Sequence, residues 1–175
     1  MRGDELAGGL HRGPWGAADH PVSADFLQSL LRSLEYELPD AIRLRERLHA
    51  AAEPSHEEHA TARLVTEALG ARVVERVLRT GLMARVGPPG EAVAVRAELD
   101  ALPIVERTDV PFAATGGSMH ACGHDVHMAA LVALFRAAGR IEGSLPKPLL
   151  VLFQPSEEAY PAGADLWSAR GSWKA

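Results

Sequence analysis

The sequence predicts an α/β fold, and three observations predict it. Residues 92–99 read as a mostly buried strand interrupted only by Arg96 and Glu98. Residues 149–153 form a short, continuous apolar run, as strands covered on both faces tend to do. Between them a helical pattern runs from about Asp125 to Ala138, with Met128, Leu131, Val132 and Phe135 at core spacing. A strand, a crossover helix and a second strand imply a parallel pair with a right-handed connection.

The other elements follow in chain order. Residues 1–22 hold Gly3, Gly8, Gly9, Gly13, Pro14, Gly16 and Pro21 with no apolar period, and read as a flexible leader. Ser23 is placed to cap a helix that carries Phe26, Leu27, Leu30, Leu31 and Leu34. Pro39 is expected to break it, leaving Ile42, Leu44 and Leu48 on a second helix that ends near Ala52. Ser55 and Glu58 stand at capping-box spacing, which starts a third helix through Ala62, Val65, Ala68 and Leu69 to Gly70. Val73, Val74 and Val77 begin a strand that Thr80-Gly81 turns back into 82–86, making a hairpin.

Size and charge narrow the function. A chain of 175 residues suits one domain and can bury a substantial core. The net charge of −5 comes from acids spread along the chain, so nothing calls for nucleic acid or an anionic membrane as partner. The longest apolar run, 128–135, is far below the ~20 residues needed to span a bilayer. The first 18 residues hold no apolar stretch that would serve as a signal segment. Cys122 is the sole cysteine and has no internal disulfide partner, which together with these points favours a cytoplasmic setting.

Three polar clusters border the two central strands. Asp100 follows the first strand, His120-Ala121-Cys122-Gly123-His124-Asp125 leads into the crossover helix, and Gln154-Pro155-Ser156-Glu157-Glu158 follows the second strand. Ligands of open α/β sheets bind at the carboxyl ends of strands, so the clusters are expected to meet. A thiolate and an imidazole two residues apart around a glycine can face one cation, and the following helix N-terminus would favour the thiolate of Cys122. A structural cysteine beside a surface histidine would look the same. Adjacent carboxylates such as Glu157 and Glu158 are usually solvated, but on an extended segment they point in opposite directions. One can then hold metal while the other takes a proton from an activated water. A cysteine hydrolase built on Cys122 would leave both glutamates idle.

The remaining histidines read as supporting residues. His56-Glu57-Glu58-His59 has one residue too few between its histidines for the H-E-x-x-H zinc pattern. His49 is expected to be structural or substrate-facing. His120 and His127 are placed as donors to the ligands.

Taken in order, the stretches Arg96-Ala97-Glu98-Leu99-Asp100-Ala101-Leu102-Pro103, Met119-His120-Ala121-Cys122-Gly123-His124-Asp125 and Phe153-Gln154-Pro155-Ser156-Glu157-Glu158 resemble the M20 peptidases. They are most similar to the amidohydrolase branch that includes hippurate and auxin-conjugate hydrolases. The resemblance covers residues 39–166, with fainter matches near His49, Glu57, Glu58 and Thr61. It implies a three-layer αβα zinc-peptidase-like domain with a mainly parallel sheet. It also implies metal ligation by Cys122, His124 and Glu158, with Glu157 as general base and Asp100 in an orienting role. The implied reaction is hydrolysis of N-acyl amino acids with two divalent ions, zinc or manganese, and homo-oligomers are implied for longer relatives. Glu98 stands where many relatives have Asp.

The family pattern also demands two further histidine ligands after the Glu-Glu pair, and the last histidine here is His127. Residues 23–166 therefore read as a partial catalytic domain, incomplete at its C-terminus. Residues 167–175, with Trp167 and Trp173, read as a non-family tail without helical pattern. On that reading the chain by itself is an inactive remnant with weak or no metal binding.

Overall fold

A computed structural model of the chain describes residues 23–70 and 74–169. The expectations for the leader 1–22, for Val73 and for 170–175 lie outside them. The elements are α1 (Ala24–Ala50), α2 (His59–Leu69), β1 (Val74–Val77), β2 (Gly81–Val86), β3 (Val93–Glu98), α3 (His124–Arg140), β4 (Leu149–Gln154) and α4 (Gly163–Ala169).

The four strands form one sheet in the order β1-β2-β4-β3. β3 and β4 are parallel, with Val95 opposite Val151 and Ala97 opposite Phe153, and α3 connects them as the sequence predicts. The sheet as a whole is mixed, not mainly parallel, because β1–β2 and β2–β4 are both antiparallel. A hairpin contributes strands of both directions, so a sheet that includes one cannot be wholly parallel. β2 joins β4 because its alternate residues Leu82, Ala84 and Val86 extend the same core face as Leu149, Val151 and Phe153.

Among the described residues, α1, α2 and α3 build the helical layer on that face. Leu44 and Leu48 of α1, Ala62, Val65 and Leu69 of α2, and Met128, Leu131, Val132 and Phe135 of α3 close one core with the strands. None of the described helices is long and apolar enough to cross a membrane.

Three local expectations are corrected. Pro39 does not break the first helix, since α1 runs unbroken for 27 residues with Pro39 inside it. α3 grips α1 on both sides of the proline. Before it, buried Glu37 meets Arg136 at 2.7 Å and Arg140 at 2.6 Å; after it, Leu44 and Leu48 enter the core. That packing offsets the hydrogen bond a helical proline forfeits.

The capping box at Ser55 does not form. α2 begins at His59, and Glu53 serves its N-terminus by accepting from Ala60 N at 3.0 Å and Thr61 N at 2.8 Å. Ser55 and Glu58 turn inward instead. The tail is helical where described: α4 extends to Ala169 and buries Trp167.

Candidate metal centre

Each predicted site residue sits at the carboxyl end of the β3–β4 pair. Asp100 follows β3 after one residue and is fully buried. His124 opens α3 after Gly123, whose φ of 83° allows the loop to turn directly into the helix. Glu157 and Glu158 follow β4 across Ser156, a residue at φ 53°.

The orientation of His124 is fixed by one contact. Its Nδ1 lies 2.9 Å from the backbone oxygen of Asp100. A carbonyl oxygen only accepts, so Nδ1 carries a proton, and in the neutral ring the lone pair lies on Nε2. Nε2 stands 3.9 Å from Glu157 Oε2 and 3.9 Å from Glu158 Oε1. One ligand atom from each of His124, Glu157 and Glu158 falls within 4.8 Å of the others. These separations are too long for hydrogen bonds. Two ligands at about 2.0–2.1 Å from one tetrahedral ion would stand roughly 3.3–3.5 Å apart, a few tenths of an ångström closer than here. An imidazole lone pair with two carboxylates suits a divalent cation.

Asp100 organises this group. Its Oδ2 accepts from Ser55 Oγ at 2.6 Å and from the Glu158 amide at 2.9 Å. Its Oδ1 is buried, has no hydrogen-bond partner among the described residues, and lies 3.8 Å from His124 Nδ1.

Cys122 is exposed beside the triad and outside its closest set. The expectation that the helix N-terminus favours its thiolate is not met. A hydrogen bond to Glu158 raises its pKa most, and burial and the charges of Glu158, Glu157 and Asp100 add to that. These carboxylates outweigh the helix end.

The two histidines expected to support the ligands do other things. His127 Nδ1 lies 3.2 Å from Glu98 Oε2. His120 is buried with neither ring nitrogen partnered among the described residues, and its pKa is pushed down to about 4, first of all by that burial.

Sequence reasoning missed two polar networks. In one, buried His49 places Nδ1 2.9 Å from Asp125 and Nε2 3.0 Å from Glu106, while Arg45 holds Asp125 at 2.7 Å. Glu106 also accepts from Thr108 and from Ala114 N, which closes the loop after β3. In the other, fully buried Glu58 reaches both the β1–β2 turn and Ser156. The density of polar residues in 53–59 was the available signal, and helix capping had absorbed it.

The profile of peptidase family M20/M25/M40 matches residues 94–174, which hold β3 from its second residue, α3, β4 and every residue of the triad. The chain belongs to the M20 peptidases. Among similar proteins, the N-acyl-L-amino acid amidohydrolase of Geobacillus stearothermophilus is 40% identical over 132 residues, 72% of this chain and 36% of that protein. The N-acetyl-L-cysteine deacetylase of Bacillus subtilis strain 168 is 40% identical over 135 residues, 74% of this chain and 32% of that protein. The crystal structure of the Bacillus subtilis YXEP protein, described as a dinuclear metal binding peptidase from the M20 family, superposes with a TM-score of 0.72 at 31% identity. That alignment covers 78% of this chain and 40% of that one. The M20 chain thus spans about a third of the length of the curated relatives it matches.

Proposed function

We propose that the chain contributes the metal-holding and proton-transferring residues of an amidohydrolase that cleaves N-acyl amino acids. The observation that carries this reading is the His124 tautomer, which aims a lone pair at two glutamates. Cys122, His124 and Glu158 would hold the cation. A divalent ion there, zinc or manganese and one of a pair, would supply Lewis acidity that polarises an amide carbonyl and acidifies water. Glu157 is the half-exposed carboxylate of the triad and the one open to a substrate. It accepts the proton of the attacking water and returns it to the departing amine, so its charge is restored at the end of the cycle. Asp100 holds the Glu158 backbone and the His124 ring in register. The substrate class follows that of the similar N-acyl-L-amino acid amidohydrolase and N-acetyl-L-cysteine deacetylase. A cytoplasmic location belongs to the same reading, as does self-association for a full-length relative.

The test is hydrolysis of a panel of N-acyl amino acids in the presence of zinc or manganese, with and without a chelator. In a preparation that also supplies the two further histidine ligands, turnover that the chelator abolishes is expected. Metal-loaded protein without turnover, or turnover indifferent to chelation, contradicts the reading.

A further inference from the structure

Ser156 is the joint between β4 and the two glutamates, and its backbone is in the left-handed region at φ 53°. A residue with a Cβ holds that conformation only where its surroundings over-determine it. Every polar atom of Ser156 is engaged. Its amide donates to Glu58 Oε1 at 2.8 Å, and its carbonyl accepts from Gly163 N at 2.8 Å. Its hydroxyl lies 2.8 Å from His56 Nδ1 and 3.2 Å from Glu58 Oε1.

The carboxylate on the other side is a three-way tie. Glu58 is fully buried, and its Oε1 also accepts from His56 N at 2.9 Å while Oε2 accepts from Thr80 Oγ1 at 2.7 Å. It therefore joins the segment before α2, the β1–β2 turn and the loop that carries the glutamates. Its hydrogen-bond partners are amides and hydroxyls, so what it supplies is a fixed pair of acceptor positions. The loop has little room to relax. A Cβ on Gly163 would stand 1.9 Å from Pro155 O, and one on Gly81 would stand 3.0 Å from Pro155 Cδ.

We infer that Glu58 is a positioning residue: it holds Ser156 in the left-handed turn that presents Glu157 and Glu158 to His124. Its functional sense rests on the metal-centre reading, but the hydrogen-bond link stands without metal. The reach of the side chain matters and its charge does not. Glu58→Asp keeps the charge and withdraws the acceptors by one methylene, whereas Glu58→Gln removes the charge and keeps the reach, with its oxygen in the place of Oε1 and its amide nitrogen donating to the Thr80 hydroxyl, which can rotate to accept.

Two readouts on the 175-residue chain test this. The first is amide hydrogen exchange at Ser156 in metal-free protein. The second is zinc affinity by calorimetric titration of folded protein. Glu58→Asp should lose protection at Ser156 and weaken zinc binding by about 10–100-fold, the range for residues that support ligands. Glu58→Gln should keep both near the parent values. Parent-like behaviour of Glu58→Asp, or equal damage by Glu58→Gln, overturns the proposal. If the parent chain binds no zinc, the metal-centre reading fails, and the exchange pattern alone then upholds or overturns the Glu58 link.

Discussion

His124 and Asp100 meet through the imidazole Nδ1 of one and the backbone oxygen of the other, 2.9 Å apart. Because the contact uses the main chain of β3's extension, the sheet itself dictates which nitrogen of His124 faces Glu157 and Glu158. The side chain of Asp100 is left for a second task, accepting from Ser55 Oγ and from Glu158 N.

Asp100→Ala should therefore damage the centre without removing a ligand. It strands the Glu158 amide and the Ser55 hydroxyl. Stability should fall by about 1–3 kcal/mol, and metal affinity by roughly 10–100-fold. Chemical denaturation and zinc titration of the same preparation check both. Unchanged affinity would show that Glu158 needs no such support.

Glu157 and Glu158 should separate kinetically. In a metal-loaded, active preparation, Glu157→Gln is expected to slow turnover by about 10²–10⁴-fold with little change in metal content, as loss of a general base does. Glu158→Gln should show its effect first as a raised metal requirement. Metal content by elemental analysis beside kcat distinguishes them, and matching losses of metal in both variants would reverse the roles.

The loop after β3 should respond to acid through Glu106. Hydrogen bonds from Thr108 and from His49 are the largest influences lowering its pKa from 4.5 to about 2. Between those values the unfolded chain binds the proton more readily, so stability rises with pH there. The contribution is complete above about pH 4.5 and is lost as pH falls toward about 2. Denaturation midpoints of the parent and of Glu106→Gln should differ most above pH 4.5 and converge on acidification. A gap constant with pH would contradict this origin.

Pro39→Ala should stabilise the chain. Alanine gains about 3 kcal/mol over proline inside a helix, less ~1 kcal/mol for the freer unfolded chain, so the net gain is about 2 kcal/mol. Thermal unfolding measures it. A neutral result would mean that α1 is interrupted in solution, as the sequence alone suggests.

The β3-α3-β4 unit was legible because its signals are local and periodic: two apolar runs bracket one helical stripe. The carboxyl-end rule places Asp100, His124, Glu157 and Glu158 together from the sequence alone. What was not legible depends on contacts remote in sequence. Continuity of α1 across Pro39 is enforced by Arg136 and Arg140, about a hundred positions away. Ser55 and Glu58 look like a capping box in isolation, yet their acceptors and donors are Asp100, Thr80 and Ser156. The antiparallel entry of β2 beside β4 has no local signature, since hairpin chemistry fixes β1 against β2 and says nothing of the next neighbour.

The most direct test is calorimetric titration of the chain with zinc, compared with His124→Ala and Glu158→Gln. The proposed centre predicts saturable zinc binding by the parent, against the weak or absent binding of a remnant, with proton release as the Cys122 thiol gives up its hydrogen. It also predicts loss of that binding in His124→Ala and clear weakening in Glu158→Gln. Zinc bound equally well by the parent and by His124→Ala would contradict a centre built on the lone pair of His124.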